Sequence, residues 1–241
     1  MLKILKKILK KKRCAAVIVA AGSSNRMMGI DKTLYQLGDD PIIAHSIRAF
    51  QCNPLIAKIV VVTREEIVAE IENIVETYAF DKVVAVVSGG ATRAESVMKG
   101  LDKVADGTDY VAVHDGARPF VTQQIISDAV KKAYDYHATA PAVPVKDTIK
   151  IASNRMVTGT PDRATLYAVQ TPQIFDFDLL RGALSKALND HSPITDDCSA
   201  VEAIGMSVYL TEGADENIKI TTPTDLILAK AIWEGRKTSC E

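Results

Sequence analysis

Four places in this chain carry residue types suited to handling anions. The first is Ala16-Val17-Ile18-Val19-Ala20-Ala21-Gly22-Ser23-Ser24-Asn25-Arg26-Met27, an apolar run that opens into a polar loop leading to Lys32. Small residues at the carboxyl end of a strand let backbone N–H groups approach a ligand's phosphates. The spacing is neither G-x-G-x-x-G nor G-x-x-x-x-G-K-[ST], which excludes the dinucleotide fingerprint and the P-loop. Ala20-Ala21-Gly22 alone also describes a tight strand-to-helix turn. Arg26 and Lys32, both within ten residues of Gly22, add the charge that a phosphate site needs. The second place is Ser88-Gly89-Gly90-Ala91-Thr92-Arg93-Ala94-Glu95-Ser96. Here Thr92 and Glu95 have capping-box spacing and predict a helix start, leaving Gly89, Gly90 and Ser96 to let a flat base lie against the backbone.

The third is His114-Asp115-Gly116-Ala117-Arg118-Pro119. An acid just beyond an apolar strand suits contact with a ribose or a metal ion, and Asp115 with Arg118 equally describes a pair that pins the turn. His114 reads as a buried, hydrogen-bonded residue rather than a catalyst. The fourth place comprises two separated bases, Arg163 and Lys219. Lys219 alternates with Ile218 and Ile220 and so faces away from them, which by itself describes a solvated strand lysine.

The elements that must position these groups follow from periodicity. Ala15–Ala20, Ile59–Thr63, Val83–Val87, Tyr110–His114 and Ala142–Val145 read as buried strands, with further strands near Ser207–Leu210 and at Ile218–Thr221. Ile42–Phe50, Ile67–Tyr78, Ala94–Val104 and Gln124–Tyr136 have helical spacing, and a last helix runs from about Pro223 to Glu234 behind Thr222-Pro223-Thr224-Asp225. This alternation predicts an α/β fold, a three-layer sandwich around a mostly parallel sheet. Its ligand edge is the carboxyl end of the strands, where the three loops lie. The polar, turn-rich stretch at about 146–173 breaks the rhythm and predicts a protruding β-arm. Residues 14–241 read as a single domain behind a basic extension at 1–13.

Composition narrows the classes. The chain has 241 residues, 47% of them hydrophobic and 24% charged, an ordinary globular balance. The longest apolar run, Cys14–Ala21, has eight residues, too short to insert stably in a membrane. Seven bases and no acid fall in the first 13 residues, so the remainder is acidic and lacks the footprint of a nucleic-acid partner. Leu2, Leu5, Ile8 and Leu9 recur at helical spacing among the lysines, predicting a short basic helix over 2–12 that imitates a signal peptide. Cleavage near Ala21 would remove the first strand, so a solvated extension or a membrane-surface contact fits better. Four scattered cysteines, with no C-x-x-C, point away from zinc and disulfides and toward the cytoplasm.

Taken in order, Ala-Ala-Gly-x-x-x-Arg-Met with Lys32, Gly-Gly-x-x-Arg-x-x-Ser, His-Asp-x-Ala-Arg-Pro, Pro-Val-Lys-Asp-Thr, Gln-Thr-Pro-Gln, Ile-Thr-Asp-Asp and Asn-Ile-Lys-Ile-Thr resemble one family. It is that of the 2-C-methyl-D-erythritol 4-phosphate cytidylyltransferases, within the Rossmann-like nucleotide-diphospho-sugar transferase fold. The resemblance runs from about Cys14 to Trp233. It implies a nucleotidyltransferase of the non-mevalonate route to isoprenoids, joining CTP to 2-C-methyl-D-erythritol 4-phosphate and releasing pyrophosphate. Carried over, Arg26 and Lys32 are the catalytic pair, while Arg163 and Lys219 position the acceptor with Arg118, Thr148 and Thr195. Ala20, Ala21, Gly22, Gly89 and Ser96 hold the cytosine, and Asp115 lies by the ribose and the metal-bound phosphates. The implied cofactor is Mg²⁺ bound with the triphosphate. No direct metal ligand is assigned beyond Asp115 as a candidate. The implied assembly is a homodimer whose arms cross, so that Arg163 and Thr148 serve the partner's site. Asp31 and Thr33 depart from the family's usual Pro and Gln around Lys32. A ribitol-5-phosphate cytidylyltransferase and a non-catalytic nucleotide-binding module are the alternatives.

Overall fold

In the computed structural model, which describes residues 12–22 and 31–238, Cys14–Val19 forms the first strand, β1. Its residues are apolar throughout, as a strand covered on both faces requires. Cys14, Ala16 and Ile18 enter one core while Ala15 and Val17 enter another, so six residues feed two layers. The chain continues through β2 (Gln36–Leu37), β3 (Asp40–Pro41), α1 (Ile42–Gln51), β4 (Ile56–Thr63), α2 (Val68–Thr77), β5 (Val83–Ser88) and α3 (Arg93–Val104). Next come β6 (Tyr110–Asp115), α4 (Gln123–Tyr136), β7 (Ala138–Pro144), β8 (Ile151–Ser153), β9 (Met156–Gly159), β10 (Tyr167–Val169) and β11 (Gln173–Asp176). The last elements are α5 (Phe177–Asn189), α6 (Asp197–Glu202), β12 (Tyr209–Glu212) and α7 (Pro223–Thr238).

Among the described residues, eight strands form the main sheet. β1 lies between β4 and β6, parallel to both, and β5 extends the sheet beyond β4. β11 runs antiparallel to β6 and to the start of β7, and β10 pairs antiparallel with the end of β7. β12 adds a parallel strand on the other edge of β7. One face is covered by α1, α2 and α4 through Ile43, Ile47, Phe50, Ile71, Ile126 and Val130. The other is covered by α3, α5 and α6 through Val97, Leu101, Leu180, Leu184 and Val201. The expected three-layer α/β sandwich is therefore present. After β1 the chain crosses to β4 and only later returns to β6. The loops beyond β1 and β6 thus diverge at a switch point, where such sheets have their crevice. No helix among the described residues is long and apolar enough to cross a membrane.

Several boundaries differ from the sequence expectation. β7 begins at Ala138 rather than Ala142, because His137 takes a left-handed conformation (φ 65°) that turns the chain at the end of α4. The strand expected near Ser207–Leu210 is shifted to Tyr209–Glu212 by its register with β7. No strand forms at Ile218–Thr221: that segment lies against the loop after β6, with Ile220 N–H donating to Ala117 O at 2.9 Å. The arm is shorter than 146–173. Only β8 and β9 form a separate hairpin, and Tyr167–Val169 rejoin the main sheet by pairing with Ala142–Pro144. α5 and α6 are helices that the sequence reading does not single out. Except for Lys12, the basic helix expected over 2–12 lies outside the described residues.

Candidate active site

β1, β5 and β6 end at one edge of the sheet, and their following loops enclose a cleft of about 420 Å³. Ala20, Ala21, Gly22, Lys32, Ser96, Asp115 and Lys219, all candidates from the sequence, line it. Val19, Thr33, Gly90, Ala91, Thr92, Arg93 and Ala117 complete the wall among the described residues. Arg26 lies outside the described residues.

The loop after β5 is built by its own side chains. Thr92 caps α3 by accepting from Glu95 N–H at 3.2 Å, and Glu95 Oε2 accepts from Ala91 N–H at 2.6 Å. The Ser96 hydroxyl accepts from Gly90 N–H at 3.0 Å and donates to Thr92 O at 2.9 Å. Thr92 N–H also reaches Glu95 Oε2 at 3.4 Å, so the predicted capping box is formed. Gly89 does not line the cleft; Gly90 does. The backbone of Gly89 is already engaged, its N–H with Thr63 O at 2.7 Å and its carbonyl with Lys99 Nζ at 2.7 Å. What Gly89 contributes is space. A Cβ there would stand 2.5 Å from Ala21 Cβ and 2.8 Å from Ser96 Oγ, so only glycine lets the two nucleotide loops meet.

Asp115, nearly buried at the end of β6, is the electrostatic centre. Its Oδ1 lies 2.6 Å from Arg93 Nη1, and its Oδ2 lies 2.9 Å from Lys219 Nζ and 3.5 Å from Arg118 Nε. Burial by itself would raise the Asp115 carboxyl. The facing charges of Arg93, Lys219 and Arg118 outweigh burial and hold it well below the usual carboxylate range. Arg93 also reaches the buried Asp197 at 2.9 Å, and the two acids raise its guanidinium above the ordinary value against the effect of burial. Lys219 is therefore an ion-paired cleft residue rather than a solvated strand lysine.

The Gln-Thr-Pro-Gln segment, to which sequence reasoning assigned no role, joins these parts. Gln170 Oε1 and Thr171 O accept from the Asn217 side chain at 3.1 and 3.0 Å, fixing the approach to Lys219. The Thr171 hydroxyl accepts from Asp115 N–H at 3.1 Å and lies 3.0 Å from His114 Nδ1. His114 Nε2 lies 3.2 Å from Arg118 O, which can only accept, so that nitrogen carries the proton. His114 is fully buried as expected, and burial pushes it down to about 3, leaving a neutral ring. Gln173 accepts from Cys198 N–H and donates to Asp196 at 2.7 Å, tying α6 to the sheet. Arg93, Asp197 and Thr171 are the members of this network that the sequence did not single out individually. Their signal was membership in the ordered motifs.

The remaining candidates stand apart from the cleft. Arg118 lies behind Asp115, with Nη1 donating to Asn217 O at 2.6 Å, and so supports the acid instead of facing the cleft. Thr195 is exposed ahead of α6, its N–H donating to Ser199 Oγ at 3.0 Å. Thr148 and Arg163 are exposed on the arm, where Arg163 Nη1 donates to Lys146 O at 2.9 Å. Among the described residues no cluster of three or more His, Cys, Asp or Glu side chains gathers as a metal site. Among the described residues, Asp115 is the one carboxylate in the cleft wall.

Comparison with known proteins adds to this geometry. A family profile described as 2-C-methyl-D-erythritol 4-phosphate cytidylyltransferase matches residues 14–235. A protein of that name from Clostridium novyi is 46% identical over 230 residues, covering 94% of this chain and 99% of its own. Another from Caldanaerobacter subterraneus subsp. tengcongensis is 45% identical, covering 90% of this chain and 96% of its own. The crystal structure of 4-diphosphocytidyl-2C-methyl-D-erythritol synthase from Anaerococcus prevotii superposes with a TM-score of 0.85 at 30% identity, covering 95% of this chain and 99% of that one. That of 2-C-methyl-D-erythritol 4-phosphate cytidylyltransferase from Thermus thermophilus gives 0.75 at 31% identity, covering 91% and 98%.

Proposed function

This chain belongs to the 2-C-methyl-D-erythritol 4-phosphate cytidylyltransferase family, and from that premise we infer how its cleft performs the transfer. The enzyme moves the cytidylyl group of CTP onto 2-C-methyl-D-erythritol 4-phosphate in the non-mevalonate pathway. The observation that carries the site reading is the meeting of Ala20–Gly22, Gly90–Arg93, Asp115 and Lys219 around one cleft.

The acceptor's phosphate monoester has its second pKa near about 6, so at neutral pH it is mostly a dianion and attacks the α-phosphorus without a general base. This accords with a neutral His114 bound on both sides and, among the described residues, a cleft wall that contains no histidine. The difficulty is repulsion between two anionic substrates, so catalysis reduces to alignment and charge neutralisation. Lys32, with Arg26, stabilises the charge of the transition state. Lys219, with Arg163, grips the acceptor phosphate, and Arg93 and Arg118 fix Asp115 between the nucleotide and acceptor sides. The loops at Ala20–Gly22 and Gly90–Ser96 receive the base. Mg²⁺ fits as an ion carried by the triphosphate: Mg²⁺ keeps waters and takes one or two carboxylates, and the wall offers Asp115. Bound there, it would neutralise phosphate charge.

The active form is a homodimer in which the β8–β9 arm reaches the neighbouring subunit. Supporting this are the solvent-facing Ile151, Met156 and Val157 of the hairpin, the last two 72% and 60% exposed, and the placement of Arg163 away from its own cleft. A pyrophosphate-release assay tests the function. Release is expected with CTP and 2-C-methyl-D-erythritol 4-phosphate. Equal rates with ribitol 5-phosphate would overturn the acceptor assignment, and no release with either would overturn the activity.

A further inference from the structure

We propose that Asp31 and Arg64 act together as positioning residues that hold the Lys32 backbone at the mouth of the cleft. The inference rests on the reading of Lys32 as a transition-state cation and takes in Asp31 and Thr33, where the family resemblance implies Pro and Gln. Asp31 Oδ1 accepts from Thr33 N–H at 2.9 Å and from the Thr33 hydroxyl at 2.7 Å. The two bonds close a turn with Lys32 at its centre. Asp31 Oδ2 is ion-paired with Arg64 Nη2, and Arg64 directly follows β4.

The end of β4 is a fixed point between the nucleotide loops. Val62 O accepts from Ala20 N–H at 2.7 Å, and Thr63 O accepts from Gly89 N–H at 2.7 Å. The other end of the turn is fixed as well, because Thr33 is buried and its carbonyl accepts from Ile43 N–H at 2.9 Å, in the first turn of α1. Both anchors therefore belong to elements that also shape the cleft. A lysine has a long, flexible stem, so fixing where that stem begins narrows the volume its ammonium can reach. Burial would raise the Asp31 carboxyl, but its bonds to Thr33 and Arg64 outweigh this and keep it ionised at neutral pH. A proline restricts the backbone covalently. Asp31 does so through hydrogen bonds to the turn and a charge on the neighbouring strand.

Steady-state pyrophosphate release by wild type, Asp31→Ala, Asp31→Asn and Arg64→Ala, with each of the three changes repeated in a Lys32→Ala background, tests this. Asp31→Ala should lower kcat about tenfold with both KM values within about twofold. Asp31→Asn should keep most of kcat, since its side-chain oxygen still accepts from Thr33. Arg64→Ala should fall between them. In the Lys32→Ala background, Asp31→Ala should change kcat less than about twofold, because a positioner is silent once its target is gone. The proposal is overturned if Asp31→Ala keeps the wild-type kcat, if it lowers kcat equally without Lys32, or if Asp31→Asn does no better than Asp31→Ala. Should the alanine variant not fold, the asparagine and Arg64 variants decide by the same comparison. A wild type that releases no pyrophosphate overturns the functional reading instead.

Discussion

Lys219 Nζ stands 2.9 Å from Asp115 Oδ2, so a lysine from an extended segment ahead of α7 is held by the acid that ends a central strand. The same carboxylate holds Arg93 on its other oxygen. Asp115→Asn leaves Arg93, Lys219 and Arg118 without their shared countercharge, although Arg93 keeps Asp197. Breaking a buried pair costs about 3–5 kcal/mol, and the half-exposed Lys219 places this loss toward the lower end. Urea melts should show the reduced midpoint, and the KM for CTP should rise. An unchanged midpoint would show that the network contributes nothing to the fold.

Lys32 is assigned to the transition state more than to substrate binding. Lys32→Ala should therefore lower kcat by about 10²–10³ while moving KM little. A near-wild-type kcat would remove it from the mechanism.

Gly89, having no side chain, lets Ala21 and Ser96 pack close against it. Gly89→Ala should force the two nucleotide loops apart, costing about 1–3 kcal/mol and raising the KM for CTP more than that for the acceptor. The comparison of the two KM values is the readout, and equal changes would place the strain elsewhere.

Arg163 is expected to act in the neighbouring subunit. Arg163→Ala should chiefly raise the KM for the sugar phosphate. Co-expressed with Lys32→Ala, it should give mixed dimers with one intact site, recovering at low acceptor concentration more activity than either variant has alone. Mixed dimers with no recovered activity would place Arg163 in its own subunit's site.

His114 gives the stability a pH dependence with a definite sign. Its folded value, about 3, lies below the unfolded value of about 6.5, so between them the unfolded state binds more protons. Its contribution is complete above pH 6.5 and is lost as the pH falls toward 3. Asp31 and Asp115, lowered as well, add losses at still lower pH. Thermal melts should be flat from pH 8 to 7 and decline below about 6.5. His114→Gln should be less stable at neutral pH yet show a shallower decline through that window. A slope unchanged by the substitution would assign the dependence to other groups.

Local patterns in the sequence were enough for β1, β4, β5 and β6 and for α1 to α4, because their apolar periods and caps are set by neighbouring residues. Thr92 with Glu95 announced the start of α3, and Thr222 with Asp225 that of α7, where Asp225 accepts from Thr221 and Thr222 N–H at 2.8 Å each. The cleft residues Ala20, Ala21, Gly22, Lys32, Ser96, Asp115 and Lys219 were legible too, since each sits in a short motif at a strand end or beside one. Tertiary structure alone decided what those motifs do to one another. Nothing near Asp115 in sequence reveals that Arg93 and Lys219 converge on it, or that Thr171 holds its backbone. Nor does anything near Lys32 reveal that the adjacent Asp31 pairs with Arg64. It also replaced Gly89 with Gly90 in the cleft wall and moved Arg118 behind Asp115. Hydrophobic period is a property of adjacent residues, whereas charge pairing and close approach depend on distances that only the assembled sheet brings about.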